Sequence, residues 1–125
     1  MEFQFFIGGY DRGHFEVVLK NGELHFFVFD YPISIEQQEP TAIIPIEGYI
    51  DWLNLVEYIN GLKWKRKYEC GILDGTQWEL TFESDTKKMK CYGNNVYPKE
   101  FDNFIKLLKI ITAKNKISDR LLTFA

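Results

Sequence analysis

The chain has 125 residues, a length typical of one domain that buries a core without disulfides or metals. Apolar residues make up 46% of it and charged residues 26%, which excludes an intrinsically disordered chain, and the aromatic content of 17% favours a sheet-rich fold. The net charge of -3 is split between two basic and ten acidic side chains in residues 1–62 (-8) and thirteen and eight in residues 63–125 (+5). This split either steers a charged partner, orients two copies head to tail, or reflects two ordinary solvated surfaces.

A cytoplasmic location is predicted from what the sequence lacks. No apolar run approaches the roughly eighteen residues of a membrane span, and the start, Met1-Glu2-Phe3, has neither the basic segment nor the cleavage site of a secretory signal. Cys70 and Cys91 both fall inside predicted strands, as expected in a reducing compartment.

The first predicted elements are a strand over residues 2–8, a loop over 9–13 and a hairpin over 14–30 that turns at Asn21-Gly22. A two-residue turn fixes the register and makes one face of the hairpin entirely apolar. The expected pairs on this core face are Leu19 with Leu24, Val17 with Phe26 and Phe15 with Val28, and the first strand adds Phe3, Phe5 and Ile7.

The segment from Tyr31 to Pro45 contains three prolines and is predicted to be a long connection that cannot be a central strand. Apolar residues then recur at helical spacing and Asn60-Gly61 supplies a stop signal, which predicts a helix from about Glu47 to Asn60.

A three-strand meander is predicted after Trp64, with turns near Asp74-Gly75 and Asp85-Thr86. A two-residue first turn would place apolar and charged residues on the same face of the sheet. We therefore prefer a three-residue turn in which Gly75 is left-handed. The expected apolar pairs are Ile72 with Trp78, Cys70 with Leu80, Tyr68 with Phe82, Phe82 with Met89 and Leu80 with Cys91; on the opposite face, Glu83 pairs with Lys88 and Thr81 with Lys90. The two cysteines would lie roughly 9 to 10 Å apart, too far for a disulfide.

Pro98 suits a first helical turn, which predicts a second helix from about Pro98 to Ala113, followed by an apolar tail over residues 117–124 that docks on the domain. The predicted fold is α+β: a six-stranded antiparallel sheet with two helices packed on one face. Because three strands precede a helix in each half, a βββα-βββα duplication is a further hypothesis.

No catalytic, cofactor-binding or metal-binding residues are predicted. His14 and His25 are expected roughly 13 Å apart along the hairpin, too far to share one ion. The cysteines are expected to be small buried core residues, and the glycine-containing loops lack a phosphate-binding pattern. The basic residues around Lys63 to Lys67 and Lys87 to Lys90 alternate with glutamates, so cross-strand pairing disfavours nucleic-acid binding.

The candidate site is the outward side of the first three strands, where the register places large apolar groups on a face expected to be wet. We call this the N-terminal outward face; its residues are Phe6, His14, Glu16, Val18, His25, Phe27 and Phe29. Such a face is either covered or binds a partner. The candidate cover is the proline-containing connection, through Ile33, Ile35, Ile43 and Ile44.

The segments 74–80 (DGTQWEL) and 93–98 (GNNVYP), with Phe101 downstream and Trp64 and Tyr68 upstream, resemble a motif of small uncharacterised bacterial proteins, some of which look like toxin-immunity proteins. The resemblance covers about residues 64–108. It implies a bacterial cytosolic domain and assigns no catalytic residue.

The function predicted from the sequence is a non-enzymatic protein-binding domain, of the immunity or inhibitor type, that binds a basic partner or itself. The alternatives are a small-molecule-binding or hydrolytic enzyme with a pocket between sheet and helices, and a nucleic-acid binder that uses the basic second half.

Overall fold

The computed structural model describes residues 1–9, 13–30, 39–69 and 75–122. Two helices and seven strands occur in these residues, which confirms the α+β class. The strands are β1 (Glu2–Gly9), β2 (Gly13–Lys20), β3 (Glu23–Phe29), β4 (Ala42–Pro45), β5 (Lys67–Glu69), β6 (Gln77–Glu83) and β7 (Lys88–Asn94); the helices are α1 (Ile50–Asn60) and α2 (Phe101–Lys114), with a short 3-10 helix at Arg120–Leu122. No helix within these ranges is long and apolar enough to cross a membrane.

The strands form one sheet in the order β4-β3-β2-β1-β6-β7-β5. All neighbours are antiparallel except β5 and β7, which are parallel. The predicted hairpin register is confirmed for all three pairs: Leu19 with Leu24, Val17 with Phe26, and Phe15 with Val28. Phe3, Phe5 and Ile7 share the buried face, as predicted.

The predicted meander is correct for its second hairpin and wrong for its first. Leu80 lies opposite Cys91 and Glu83 opposite Lys88, as predicted. The neighbour of β6 on its other side is β1, however, and Tyr68 lies opposite Gly93 in a parallel pair. Pairing β1 with β6 places the apolar residues of β1 at the centre of the sheet, where both neighbouring strands exclude water. The predicted partners Ile72 and Cys70 lie outside the described residues.

The chain between Tyr31 and Pro45 is partly strand: Ala42–Pro45 pairs with β3 as the sheet edge. An edge position tolerates Pro45, which agrees with its predicted exclusion from the sheet centre. The sheet is therefore seven-stranded and mixed. The two halves share an order of strands followed by a helix, but β5 and β7 are parallel, whereas the described strands of the first half pair with each other only in antiparallel fashion.

Both helices pack on the same side of the sheet, as predicted, through contacts such as Phe3 with Trp52 (ring centroids 5.2 Å apart) and Phe5 with Phe104 (4.9 Å). Each begins three residues later than predicted. Gly48 has φ +67, so residues 47–48 form a turn before α1. Phe101 N–H donates to the carbonyl of Pro98, so Pro98 belongs to the preceding turn.

The C-terminal segment docks on the sheet as predicted. Ile117, Leu121 and Leu122 are buried, and the short 3-10 helix packs against β1 and β2. Arg120 also binds Asp30 at 2.6 Å. This exposed ion pair adds little stability compared with the three apolar side chains.

We expect Cys91 to resist alkylation at pH 8 in the folded protein. Its side chain is 1% exposed, and burial raises the pKa of the thiol to about 12 from an ordinary value of 9.0. This shift lowers the thiolate fraction on the order of 1000-fold. The measurement is iodoacetamide labelling with mass spectrometry in a Cys70→Ala variant, with and without denaturant. Rapid labelling of the folded protein would contradict the prediction.

Candidate functional site

The N-terminal outward face is assembled by the register of β1, β2 and β3. Glu16 lies opposite Phe6 on one side and Phe27 on the other, so these residues form one row as predicted. His14 lies opposite Phe29, and His25 lies opposite Val18. All seven predicted residues therefore share one side of the sheet. Both described helices lie on the other side.

Glu16 is the centre of this face and is only 8% exposed. Its carboxylate accepts a hydrogen bond from Gln4 Nε2 at 3.1 Å and lies 2.9 Å from His14 Nε2. With Glu16 ionised, the Nε2–H of His14 is the donor. The two partners satisfy the oxygens of a nearly buried carboxylate, whose burial without hydrogen bonds would be costly. Gln4 was not among the predicted site residues, although its place in the alternation of β1 puts it on this face.

Aromatic rings hold His14 in place. Its ring centroid lies 4.8 Å from that of Phe6 and 6.2 Å from that of Phe29. The His14 side chain is 15% exposed as a result. The hydrogen bond and the ring contacts together restrict the imidazole, so the face presents a largely preformed surface.

His25 belongs to a separate part of the face. Its Nε2 lies 3.7 Å from Glu23 Oε1, and it lies one row beyond Glu16, opposite Val18. Within the described ranges, no three His, Cys, Asp or Glu side chains are placed to hold a metal ion. The two histidines thus have different carboxylate partners.

The position of β4 corrects part of the prediction that the proline-containing connection covers the N-terminal outward face. Ile44 lies opposite Leu24 and is buried in the core, so it does not cover the outward face. Ile43 lies opposite His25 at the edge of the face and is 48% exposed. Ile33 and Ile35 lie outside the described residues. Six of the seven face residues are half-buried, and only Glu16 is buried.

The remaining outward surface, over β6, β7 and β5, is polar. Lys67 binds Glu69 at 2.6 Å, and the predicted pairs of Glu83 with Lys88 and of Thr81 with Lys90 are confirmed. A shallow depression on this side is lined by Glu69, Gln77, Glu79, Tyr92 and Asn94, among others. Opposite charges alternate here, so this surface carries no uniform basic field.

The motif residues of the second half make contacts that hold the fold together. Thr76 N–H donates to Asn95 Oδ1, and Asn95 N–H donates to the Thr76 carbonyl, both at 2.8 Å. Gly75 (φ +123) has the left-handed backbone predicted for it, and Asn95 (φ +61) is left-handed as well. The Trp78 indole N–H donates to the Val96 carbonyl at 2.9 Å. These hydrogen bonds join the start of β6, at residues 76–78, to the segment that follows β7, at residues 95–96.

The fold and the candidate site define an α+β domain with helices on one side of a mixed sheet and an aromatic face with a central carboxylate on the other. No protein-family model, curated protein or solved structure matches the chain.

Proposed function

We propose that the chain is a non-enzymatic protein-binding domain whose N-terminal outward face binds a basic protein partner. The observation that carries this proposal is the Glu16 carboxylate, held by His14 and Gln4 between Phe6 and Phe27 on the side of the sheet opposite α1 and α2. A preformed aromatic surface loses little conformational entropy on binding, and aromatic residues are enriched at the centres of protein interfaces.

The charge of the first half supports a basic partner. Residues 1–62 carry ten acidic and two basic side chains, and the resulting field favours encounter with a positively charged surface. Lysine and arginine side chains also bind favourably over aromatic rings such as Phe27 and Phe29. Some of the small uncharacterised bacterial proteins whose motif this chain resembles look like toxin-immunity proteins, which extends the proposal to an immunity-type inhibitor that acts in the cytoplasm.

The two alternatives have less support. The space between sheet and helices is filled by fully buried side chains such as Phe5, Trp78 and Phe104, which leaves little room there for a substrate pocket. Two basic residues of the second half already have partners within the domain: Lys67 binds Glu69, and the Lys87 ammonium donates to the carbonyl of Leu62.

Replacing Phe27 and Phe29 together with glutamate is expected to abolish partner binding. Both side chains are half-buried on the sheet surface, so the substitution removes the aromatic contacts that the interface needs without opening the core. The measurement is affinity capture from the native cell with mass spectrometry, followed by titration of the purified partner. We expect a loss of at least about 100-fold in affinity.

Ile110→Glu is the matched control, because it removes an exposed apolar group from the opposite side of the sheet. It should capture the same basic partner as the wild type. The proposal fails if the Phe27→Glu, Phe29→Glu variant stays folded and retains every partner.

A further inference from the structure

The row of residues that contains Glu16 continues beyond the N-terminal outward face. Phe6 lies opposite Glu16 on one side and opposite Glu79 of β6 on the other, and Glu79 in turn lies opposite Tyr92 of β7. Glu79 and Tyr92 are both exposed, on the side of the sheet away from the two helices. The row therefore crosses from the first half of the chain into the second.

Aromatic rings and carboxylates alternate along this row. Its members are paired across adjacent strands, and we call them the cross-strand row: Phe27, Glu16, Phe6, Glu79 and Tyr92. Adjacent strands lie about 4.8 Å apart, so the two carboxylates are separated by about 9 to 10 Å, and so is each ring from the next. Lys67 of β5 lies opposite Tyr92 and ends the acidic stretch.

Glu79 is placed to receive a cation from a protein partner. Among the described residues, none of the ion pairs involves Glu79. A depression beside it, lined also by Glu69 and Tyr92, has a volume of about 210 Å³. This is below the roughly 300 to 1,000 Å³ of typical small-molecule pockets, so the depression suits a single side chain.

Glu16 attracts a cation in a different way. Its carboxylate is only 8% exposed, so solvent screens its charge less than that of a fully exposed group. A cation above Glu16 also lies beside Phe6 and Phe27, its neighbours in the row, and cations bind favourably over aromatic rings. Both carboxylates of the cross-strand row thus favour a positively charged group.

The spacing of the two carboxylates selects a helix over an extended chain. Side chains on one face of an extended strand recur about every 6.7 Å, and neither this interval nor its double matches 9 to 10 Å. In an α-helix, residue i+7 lies about 10.5 Å along the axis on nearly the same face, and residue i+4 lies about 6 Å along it. A helix along the row therefore places cations at i and i+7 over Glu16 and Glu79, with an apolar residue between them over Phe6.

We propose that the partner binds through an amphipathic basic helix that lies along the cross-strand row, with cations seven positions apart over Glu16 and Glu79. This inference rests on the proposed function and extends its site to Glu79 and Tyr92 in the second half of the chain. Tyr92 contacts an apolar residue of the helix one turn beyond the second cation. Anchors at such spacings are the usual means by which an amphipathic helix is recognised.

The first test uses two synthetic alanine-based helical peptides of one composition. The in-register peptide carries lysines at i and i+7 and leucines at i+4 and i+11, and the second peptide has one lysine moved to i+5, off that face. Fluorescence anisotropy of the labelled peptides measures the affinity. We expect the wild type to bind the in-register peptide at least about tenfold more tightly. Equal affinity for the two peptides, or binding of neither, overturns the proposal.

The second test removes the part of the row that lies in the second half. Glu79→Gln and Tyr92→Ala should each weaken binding of the in-register peptide about fivefold. Glu83→Gln is the matched control: it removes an exposed glutamate from the same strand and side, but Glu83 lies opposite Glu2 and Lys88, outside the row. It should change the affinity less than about twofold. Equal effects of the two glutamine substitutions would show a general attraction to negative charge and overturn the proposal.

The native partner separates this inference from the proposed function. One variant is Phe27→Glu with Phe29→Glu, and the other is Glu79→Gln with Tyr92→Ala. Loss of the partner in both variants supports the helix along the row. Loss in the first variant alone leaves the proposed function standing and overturns the helix. Retention by the folded first variant overturns both, whatever the second variant does.

Discussion

Replacing Trp78 with alanine is expected to lower the free energy of unfolding by about 4 kcal/mol. Trp78 is completely buried and packs against Trp64, Tyr68 and Phe101, with ring centroids 4.9 to 5.9 Å apart. The truncation leaves a cavity between the sheet and α2 and removes the hydrogen bond to the Val96 carbonyl. This loss is a large fraction of the stability of a typical domain.

Trp78→Phe separates the two contributions. It retains a large ring but removes the indole N–H, which leaves the Val96 carbonyl without this donor. We expect a cost of about 2 kcal/mol, smaller than that of alanine. Urea denaturation followed by circular dichroism measures both variants. An alanine variant that is no less stable than the phenylalanine variant would contradict this account of the cluster.

Gly93→Ala is expected to lower the free energy of unfolding by about 3 kcal/mol, although it adds only one methyl group. A Cβ on Gly93 would lie 2.2 Å from Trp78 Nε1 and 2.7 Å from the Val96 carbonyl oxygen. Trp78 cannot move aside, since it is fully buried between Gly93 and the rings beneath it. Either the indole or the chain at residue 96 must shift, and the hydrogen bond between them weakens.

The control for Gly93→Ala is Gly61→Ala, which tests the general effect of replacing glycine. A Cβ at Gly61 would make only an ordinary contact, 3.6 Å from the Tyr58 carbonyl oxygen, and its φ of -89 suits alanine. Its stability should change by less than about 0.5 kcal/mol. Equal effects of the two substitutions would show that Gly93 is not required by its contact with Trp78.

The two expected effects should not be additive, because they act on one contact. In a Trp78→Ala background, Gly93→Ala should cost much less than it does in the wild type, with the Val96 carbonyl as the remaining obstacle. If Trp78→Ala leaves too little folded protein to measure, Trp78→Phe also removes Nε1 and serves as the background. Strictly additive costs would contradict the contact.

The residues of the candidate site could be predicted from the sequence, but their burial and hydrogen bonding could not. Alternation along each strand and the turn at Asn21-Gly22 placed Phe6, Glu16 and Phe27 in one row, and the register confirms this. The burial of Glu16 was not predictable, because it depends on Gln4 and His14 reaching its two oxygens. The exposure of Ile50, Leu53 and Ile110 on the two helices was also not predicted. A helical period shows which residues share a face but not how far each one lies from the sheet.

The sequence by itself determined the local structure of this protein: the two antiparallel hairpins, which residues point to each side of the sheet, and the two helices. Short turns and side-chain periodicity fix these features within about 20 residues of chain. Only the tertiary structure decided that β1 lies between the two halves of the sheet, displacing the strand at Tyr68 to the far edge. Alternation shows which face of a strand is buried but not which strand lies beside it. That choice depends on which arrangement buries the most apolar surface across the whole chain.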